Sequence, residues 1–388
     1  MKEKKGAGLI TMLSIAGGFI SYTVGSGFAS GNEILQFFGS WGVPTCMVAI
    51  FGAVFITAVS TICLYMIGTK KSFDTTSAAY LYVGGNVLGR FFQIFTFVSL
   101  FGTFMIMFSG AGSLLYQQWG MPQWVGSVLM GIIAAVVVVG GLKTVENVLG
   151  SAGILILVYV LIFGAISLFY PDSSISQADS IPEMVDSGVV YQANLMALPP
   201  LSYIEGLSKY NSPLLEGMLY AALCLVNGVP FYLAQGKRLK GDSDAAVSGC
   251  LSTILYYGCA GFVLILILFN FGCVVDVENG KMHAFPALAA INKIWPAGSW
   301  TYVLIIFTGI FTTTAGFLWV LQEWLFPGQV RTKKTNAFVI IMVIFGICLG
   351  SVLPFSVLIN FIFPISGIVG LIITVCLVVR TVQLSKAK

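Results

Sequence analysis

Long apolar runs, bounded by charged residues, glycines and prolines, make up most of this chain. Several of them reach the roughly 20 residues that a helix needs to cross the hydrocarbon core of a bilayer. We read each run as a transmembrane helix, which predicts ten spans. Their limits are 8–38, 42–68, 88–117, 123–140, 144–170, 213–238, 244–270, 299–325, 335–350 and 355–380.

Small or helix-breaking residues interrupt the first and the sixth span at membrane depth. In the first span, Gly25, Ser26 and Gly27 stand within TVGSGFASGNEILQFF, residues 23–38. In the sixth, residues 227–230 read Asn-Gly-Val-Pro, and proline removes a backbone donor and crowds the preceding turn. Freed backbone groups at this depth are tolerated only where protein or a water-filled cavity satisfies them. Both interruptions therefore predict a binding site.

The positions of the interrupted spans, first and sixth of ten, predict an inverted repeat. Five spans per half is an odd number, so the second half crosses the membrane in the opposite orientation. The predicted fold is an all-α membrane domain over 1–388, with five-helix repeats at 8–170 and 213–383 and an external loop at 171–212. The apolar stretch 189–198 in that loop is too short for a span, and we expect it to rest on the outside of the protein.

Lysine and arginine are distributed unevenly over the predicted loops, and this asymmetry sets the orientation. With the N-terminus in the cytoplasm, 16 of the 19 basic residues fall inside, and Lys209, Lys281 and Lys293 fall outside. An even number of spans then places both termini in the cytoplasm. The inside residues are Lys2, Lys4, Lys5, Lys70, Lys71, Arg90, Lys143, Lys237, Arg238, Lys240, Arg331, Lys333, Lys334, Arg380, Lys386 and Lys388.

Composition agrees with a membrane protein and narrows the function. Of 388 residues, 57% are hydrophobic and 9% are charged, against about 25% charged in soluble domains. The net charge of +4 comes without a basic patch interleaved with aromatics, so we expect no nucleic-acid partner. The eight cysteines lie almost entirely in apolar runs, which suggests neither disulfides nor a metal framework. With one histidine and no nucleotide-binding loop, we expect no enzyme.

Residues 25–38, GSGFASGNEILQFF, resemble the YkvI-like amino acid permeases, a branch of the amino acid, polyamine and organocation superfamily. The span pattern and the Asn-Gly-Val-Pro break are similar over the whole chain, though more weakly. The resemblance implies the LeuT fold and a secondary transporter of small amines or amino acids in the cytoplasmic membrane of a bacterium. It does not define the substrate.

The first break predicts where a zwitterionic substrate would bind. Its carboxylate would accept N–H groups at the start of the second half-helix, and the carbonyls of Tyr22 to Val24 would face a cation. The alternative is a tight crossing of two helices, since small residues let membrane helices approach closely. The matching break in the sixth span favours a site. The predicted substrate-binding residues are Gly25, Ser26, Gly27, Ser30, Asn227 and Gly228.

Glu33 is the predicted coupling or gating residue. On a continuous helix it would share a polar face with Ser26 and Ser30. A carboxylate within the membrane costs about 2.5–3.5 kcal/mol on insertion scales, so it normally faces a cavity. Glu33 is therefore a candidate proton carrier or partner for an ammonium group, the alternative being a side chain exposed near the outer headgroups. We expect Glu146 and Glu216 to be interfacial.

Three threonines, residues 312–314, follow one another at the middle of the eighth span. Each could simply bond its own backbone one turn back. The resemblance to sodium-coupled LeuT-fold transporters assigns sodium binding to Thr313 and Thr314, together with the carbonyls of Tyr22 and Val24. Proton-coupled relatives often carry a lysine in the middle of helix five, and the fifth span here has none. Sodium is thus the expected coupling ion.

The sequence as a whole predicts a cation-coupled symporter for a small amino acid or related zwitterion, working by alternating access. Its partners would be this substrate and the lipid bilayer, with sodium as the bound ion and no other cofactor. Two alternatives stay open. One is a proton-coupled permease, and the other is a membrane sensor or scaffold that does not transport. The oligomeric state is not defined by the sequence.

Overall fold

The computed structural model describes residues 8–73, 75–140, 152–171, 179–198, 203, 211–276, 280–326, 329 and 332–386. Within these ranges nearly all of the regular structure is helical. A short antiparallel pair, β1 (Val275–Asp276) and β2 (Lys281–Met282), is the exception in the described part. The helices are α1 (Leu9–Thr23), α2 (Ser26–Ser30), α3 (Asn32–Phe37), α4 (Cys46–Lys70), α5 (Thr76–Trp119), α6 (Gln123–Gly140), α7 (Ala152–Phe169), α8 (Ile181–Asp186), α9 (Pro213–Val226), α10 (Val229–Gly236), α11 (Asp242–Leu268), α12 (Pro286–Ile294), α13 (Pro296–Leu325), α14 (Lys333–Gly350) and α15 (Phe355–Lys386).

Many of these helices have the length and apolarity of membrane spans. Among the described residues six single helices qualify, namely α4, α5, α11, α13, α14 and α15, and the bent pair α9–α10 qualifies as a seventh. Three further helices are apolar but shorter, at Leu9–Thr23, Gln123–Val139 and Leu155–Phe169. The chain is a multi-pass helical membrane protein, as the hydropathy pattern predicted.

The first predicted span is divided into three helices instead of two. Val24 and Gly25 are extended and separate α1 from α2, so of the predicted interruption Gly25–Gly27 only Gly25 is non-helical. A second interruption lies at Gly31, whose φ of 75° is in the left-handed region that favours glycine. It separates α2 from α3. The predicted continuous polar face from Ser26 to Glu33 is wrong, because the chain turns at Gly31.

The break in the sixth span is confirmed. α9 ends at Val226, and α10 begins at Val229 with Pro230 in its first turn, where the missing N–H costs nothing. Asn227 and Gly228 between them keep right-handed helical dihedral angles. The result is a bend of 74° between the two half-helices.

The half-helix α9 packs closely against α4 and α15. Small residues make these crossings tight: a Cβ on Gly217 would overlap the backbone of Ala49, and one on Gly370 would overlap the backbone of Ala222. This is the close approach that small residues permit between membrane helices. Many glycines of the chain therefore serve helix packing, which makes those that do not pack more informative.

The predicted start of the third span is wrong, and the predicted start of the fifth is not tested. α5 begins at Thr76 and not at residue 88, and it bends at Gly85, which has a φ of 69°. Residues 141–151, which include Lys143, Glu146 and the start of the predicted fifth span, lie outside the described residues.

Candidate functional site

The first break leaves open space beside its backbone. A Cβ placed on Gly25 would have no atom within 4 Å. Two residues on, a Cβ on Gly27 would collide with the carboxylate of Glu33. Because α2 begins at Ser26, its first amide groups have no acceptor within the helix. The side chain of Ser26 lies outside the described part. The break thus offers backbone donors next to an open space.

Two tyrosine hydroxyls bind the backbone of the second break. Tyr22, at the end of α1, donates to the carbonyl of Asn227 over 2.7 Å, and Tyr80 of α5 donates to the carbonyl of Val226 over 2.6 Å. The ring of Tyr22 also stacks on Phe231 of α10, with centroids 4.7 Å apart. Carbonyls that a helix leaves unpaired at its C-terminus are thereby satisfied. The structure joins the two predicted breaks in one place.

Glu33 is buried between the broken spans, with 7% of its surface exposed. Its Oε1 accepts a hydrogen bond from the hydroxyl of Tyr220 at 3.1 Å, and that hydroxyl lies 2.7 Å from the hydroxyl of Tyr256. Its Oε2 is the atom that a Cβ on Gly27 would meet. This burial excludes the alternative of a solvated carboxylate near the headgroups. Glu33 instead contacts the first break directly.

Two of the predicted substrate-binding residues have local packing roles. The hydroxyl of Ser30 donates to the carbonyl of Gly27 over 2.7 Å and accepts from the amide two residues on, which holds the turn at Gly31. A Cβ on Gly228 would meet the rings of two tyrosines. Contact of Ser30 or Gly228 with a substrate stays a prediction.

The threonines of α13 bond to their own helix. Thr313 donates to the carbonyl of Gly309 over 2.9 Å, and Thr314 donates to the carbonyl of Ile310 over 2.7 Å. α13 reaches the first broken span at Tyr302, whose hydroxyl binds the carbonyl of Ala29. The described contacts bring neither threonine next to Tyr22 or Val24. Their oxygens keep lone pairs for an ion, but a sodium site here stays a prediction. Among the described residues, no three His, Cys, Asp or Glu side chains gather as a metal site.

A buried polar network closes one side of the breaks. Asn32 of α3 donates to the carbonyl of Ala284 over 2.9 Å and to the hydroxyl of Ser356 over 2.8 Å. Gln36 donates to the side chain of Asn32 and to the carbonyl of Ser356. Neither Asn32 nor Gln36 has exposed surface. The network joins α3 to α15 and to the chain before α12.

The segment 189–198 lies across the same side and is not a span, as predicted. The amide of Ala193 donates to the carbonyl of Gln36 over 3.0 Å, and the amide of Leu195 donates to Oε1 of Glu216 over 3.0 Å. Glu216 has no exposed surface, so its expected interfacial position is wrong. The segment covers it, a contact between distant parts of the chain that the sequence does not reveal.

A cavity of about 230 Å³ reaches the second break from the opposite side. Its walls include Thr96 near the middle of α5, Asn227 at the break, and Trp319 and Glu323 near the end of α13. Oδ1 of Asn227 and the hydroxyl of Thr96 are buried, and neither has a protein group in good hydrogen-bond geometry. The site is therefore closed on one side and approached by a cavity from the other.

Sequence reasoning missed the tyrosine hydroxyls that hold the site together. Tyrosine needs a partner for its hydroxyl when it is buried, and in lipid-facing positions it stays at the interfaces. Tyrosines inside predicted spans, such as Tyr220 and Tyr256, were thus an available signal, whereas Tyr80 precedes the predicted third span. The tyrosines with essentially no exposed surface are Tyr65, Tyr80, Tyr220, Tyr232, Tyr256 and Tyr302.

The two broken spans meet inside a helical membrane protein, and its structural neighbours show that the fold is the LeuT fold. The crystal structure of MhsT in complex with L-phenylalanine is similar to this chain with a TM-score of 0.60 at 14% sequence identity. The match covers 94% of this chain and 88% of MhsT. At this identity the likeness establishes the fold alone.

Two proteins of Bacillus subtilis (strain 168) are similar to this chain over nearly their whole length, while no family model matches it. The uncharacterized protein YyaD is 25% identical over 393 residues, covering 98% of this chain and 99% of YyaD. The uncharacterized membrane protein YkvI is 23% identical over 356 residues, covering 91% of each. The resemblance to YkvI is confirmed.

Proposed function

We propose that this chain is a cation-coupled secondary transporter for a small amino acid or a related zwitterion. The meeting of the two breaks carries the proposal: Tyr22 of the first binds the carbonyl of Asn227 in the second, and the space beside Gly25 is open. Paired broken helices hold substrate and ion sites in transporters built from inverted repeats. MhsT, which shares the fold, was crystallised with L-phenylalanine, and this supports an amino acid substrate.

Ten spans in two inverted halves are part of the proposal. The six long helices and the pair α9–α10 supply seven spans. We assign the other three to the shorter apolar helices α1, α6 and α7. Even α1, with 15 residues, rises about 22 Å of the roughly 30 Å hydrocarbon core, and α2 and α3 continue it.

The proposed orientation has both termini in the cytoplasm, because 16 of the 19 basic residues then lie inside. In this orientation the cavity at Asn227 opens towards the cytoplasm, and the network of Asn32 and Gln36 closes the outside. The structure would then be an inward-facing state of an alternating-access cycle. Opening the outside requires the contacts of segment 189–198 with α3 and α9 to break.

We place the substrate's carboxylate at the amides of Gly25 to Gly27 and its side chain towards Asn227. The amides at the start of α2 lack intrahelical acceptors and suit an anionic group. The open space beside Gly25 is where such a group would fit. Glu33 contacts Gly27, so its carboxylate lies close enough to this position to attract the ammonium group of the substrate.

Sodium is the proposed coupling ion, bound by the carbonyls of Tyr22 and Val24 and the hydroxyls of Thr313 and Thr314. The proton is the alternative, and the burial of Glu33 favours it. Among the described residues the hydrogen-bond partner of this carboxylate is the uncharged Tyr220. A buried carboxylate without a cation gains much from binding a proton.

The experiment that tests the function is uptake into proteoliposomes. The purified full-length protein is offered a panel of labelled amino acids under an inward sodium gradient, an inward proton gradient, or none. We expect accumulation of at least one amino acid under the sodium gradient. Uptake that follows the proton gradient alone would favour the proton. Binding of a panel member without any uptake would favour the sensor alternative.

A further inference from the structure

The cavity between α5, the second break and α13 contains two polar oxygens that no protein group satisfies. Oδ1 of Asn227 and the hydroxyl oxygen of Thr96 are both buried, and neither has a protein group in good hydrogen-bond geometry, although the Thr96 hydroxyl lies close to the hydroxyl of Tyr80. Leaving a buried polar atom unpaired is unfavourable, because it loses its hydrogen bonds with water and gains none. The backbone carbonyls of the break are paired, because the hydroxyls of Tyr22 and Tyr80 donate to the carbonyls of Asn227 and Val226. Near the second break, the unpaired atoms thus belong to side chains that line the cavity.

The rest of the wall combines aromatic and aliphatic side chains with the uncharged polar residues Thr76, Ser77 and Gln93 and one acidic residue. Tyr80, Phe97, Trp319 and Trp324 line the cavity, and Glu323 is its charged residue. Among the described residues that form the wall, there is no lysine, arginine or histidine. The faces of aromatic rings attract cations, and a carboxylate repels anions. An anionic ligand would find no counter-charge in these walls.

We infer that this cavity takes the side chain of a small ligand that ends in an N–H donor, either a neutral amide or an ammonium group, and that it rejects a carboxylate there. The donor would bind Oδ1 of Asn227 and the hydroxyl of Thr96, and the apolar stem would lie against Trp319. The inference deepens the proposed function and rests on it, because the ligand would be the transported zwitterion. A volume of about 230 Å³ is below the roughly 300–1,000 Å³ of pockets for drug-sized ligands. It suits a single amino acid.

Four amino acids of similar length separate the possibilities: L-glutamine, L-lysine, L-glutamate and L-norleucine. We measure their dissociation constants on the purified full-length protein by calorimetric titration. We expect glutamine or lysine to bind about tenfold more tightly than norleucine, which corresponds to one good hydrogen bond. Glutamate should bind most weakly. Equal binding of the four probes, tightest binding of glutamate or norleucine, or binding of none would overturn the inference.

Matched variants test whether the preference for glutamine or lysine over norleucine arises in this cavity. Thr96→Val removes the unpaired hydroxyl, and we expect the advantage of glutamine over norleucine to fall about fivefold to tenfold. Thr103→Val is the control, because Thr103 lies on the same helix, binds the carbonyl of Ser99 and does not line the cavity. Asn227→Asp should shift the preference from glutamine towards lysine. An unchanged ranking in both Thr96→Val and Asn227→Asp would contradict the inference.

The uptake assay distinguishes a failure of this inference from a failure of the proposed function. If the four probes bind in the expected order and the variants shift it, but no probe enters proteoliposomes, the inference stands and transport is refuted. If an amino acid is accumulated and both Thr96→Val and Asn227→Asp leave the selectivity unchanged, transport stands and the inference is refuted.

Discussion

At the scale of single residues, Glu33 and the tyrosines around it determine how the site responds to charge. The carboxylate accepts a hydrogen bond from Tyr220 and contacts Gly27. A change of its charge therefore changes the electrostatic potential next to the first break. The sequence identified Glu33, because a carboxylate in an apolar span stands out. It did not identify Tyr220 or Tyr256, since each lies far along the chain from Glu33.

Glu33→Gln tests which ion this carboxylate serves. The amide oxygen can still accept from Tyr220, so we expect a folded protein with a melting temperature close to that of the wild type. Uptake by the variant should keep its sodium dependence and lose its dependence on pH. The comparison is made in proteoliposomes between about pH 4 and 8, a range that includes the ordinary carboxyl pKa of about 4.3 and extends well above it. Loss of the sodium response would show that Glu33 itself serves the sodium site.

Thr313→Val and Thr314→Val test the proposed sodium ligands. Each change keeps the shape of the side chain and removes one oxygen. We expect the sodium concentration for half-maximal uptake to rise about tenfold in each, because bonds to charged groups are worth about 1.5–3 kcal/mol. Since coupling is reciprocal, sodium should also enhance substrate binding less.

The control for these variants is Thr308→Val. Thr308 lies on the same helix and also bonds its own backbone, to the carbonyl of Leu304, but it is exposed. The sodium dependence of uptake by Thr308→Val should match that of the wild type. Equal effects at all three positions would mean that the threonines serve the helix and not an ion.

At the scale of elements, the two breaks are the features that the sequence predicts best. Pro230 places the second break almost to the residue, since proline cannot continue a membrane helix without loss of a hydrogen bond. The first break is predicted in position but not in form. Gly31 adds a second turn there. The sequence alone does not show whether a glycine bends its helix, as Gly31 does, or allows another helix to pack closely, as Gly217 does.

Gly25→Ala and Gly27→Ala form a matched pair that separates folding from binding at the first break. A methyl group at position 27 would press on Glu33, and overpacking of this kind costs about 1–3 kcal/mol. We expect a lower melting temperature for Gly27→Ala, and Gly27→Val should abolish binding altogether. Gly25→Ala enters open space, so the melting temperature should hold while substrate affinity falls. Unchanged affinity in Gly25→Ala would place the substrate elsewhere.

At the scale of the whole molecule, hydropathy predicts a multi-pass helical protein because lipid forces every backbone group into helical hydrogen bonds. Hydropathy does not predict that one side of the two breaks is closed. This closure depends on contacts such as those of Leu195 with Glu216 and of Asn32 with Ser356, which join residues distant in sequence. The burial of Glu216 under segment 189–198 is the clearest case.

Cysteine labelling tests the orientation of the molecule in the membrane. In a variant whose eight native cysteines are replaced by alanine, Ser187→Cys and Lys237→Cys each introduce one exposed thiol. A membrane-impermeant maleimide added to intact cells should label position 187 and leave position 237 unlabelled until the cells are broken. The reverse pattern would invert the orientation and make the cavity at Asn227 open to the outside.

We propose that the two breaks form one substrate site that opens alternately to the two sides of the membrane. Counterflow tests it most directly, because it requires no knowledge of the coupling ion. Proteoliposomes are loaded with the amino acid that binds best and diluted into a trace of its labelled form. We expect a transient accumulation of label above the equilibrium level in the wild type and none in Gly25→Ala. Binding of the same amino acid without transient accumulation would contradict alternating access and leave a receptor in its place.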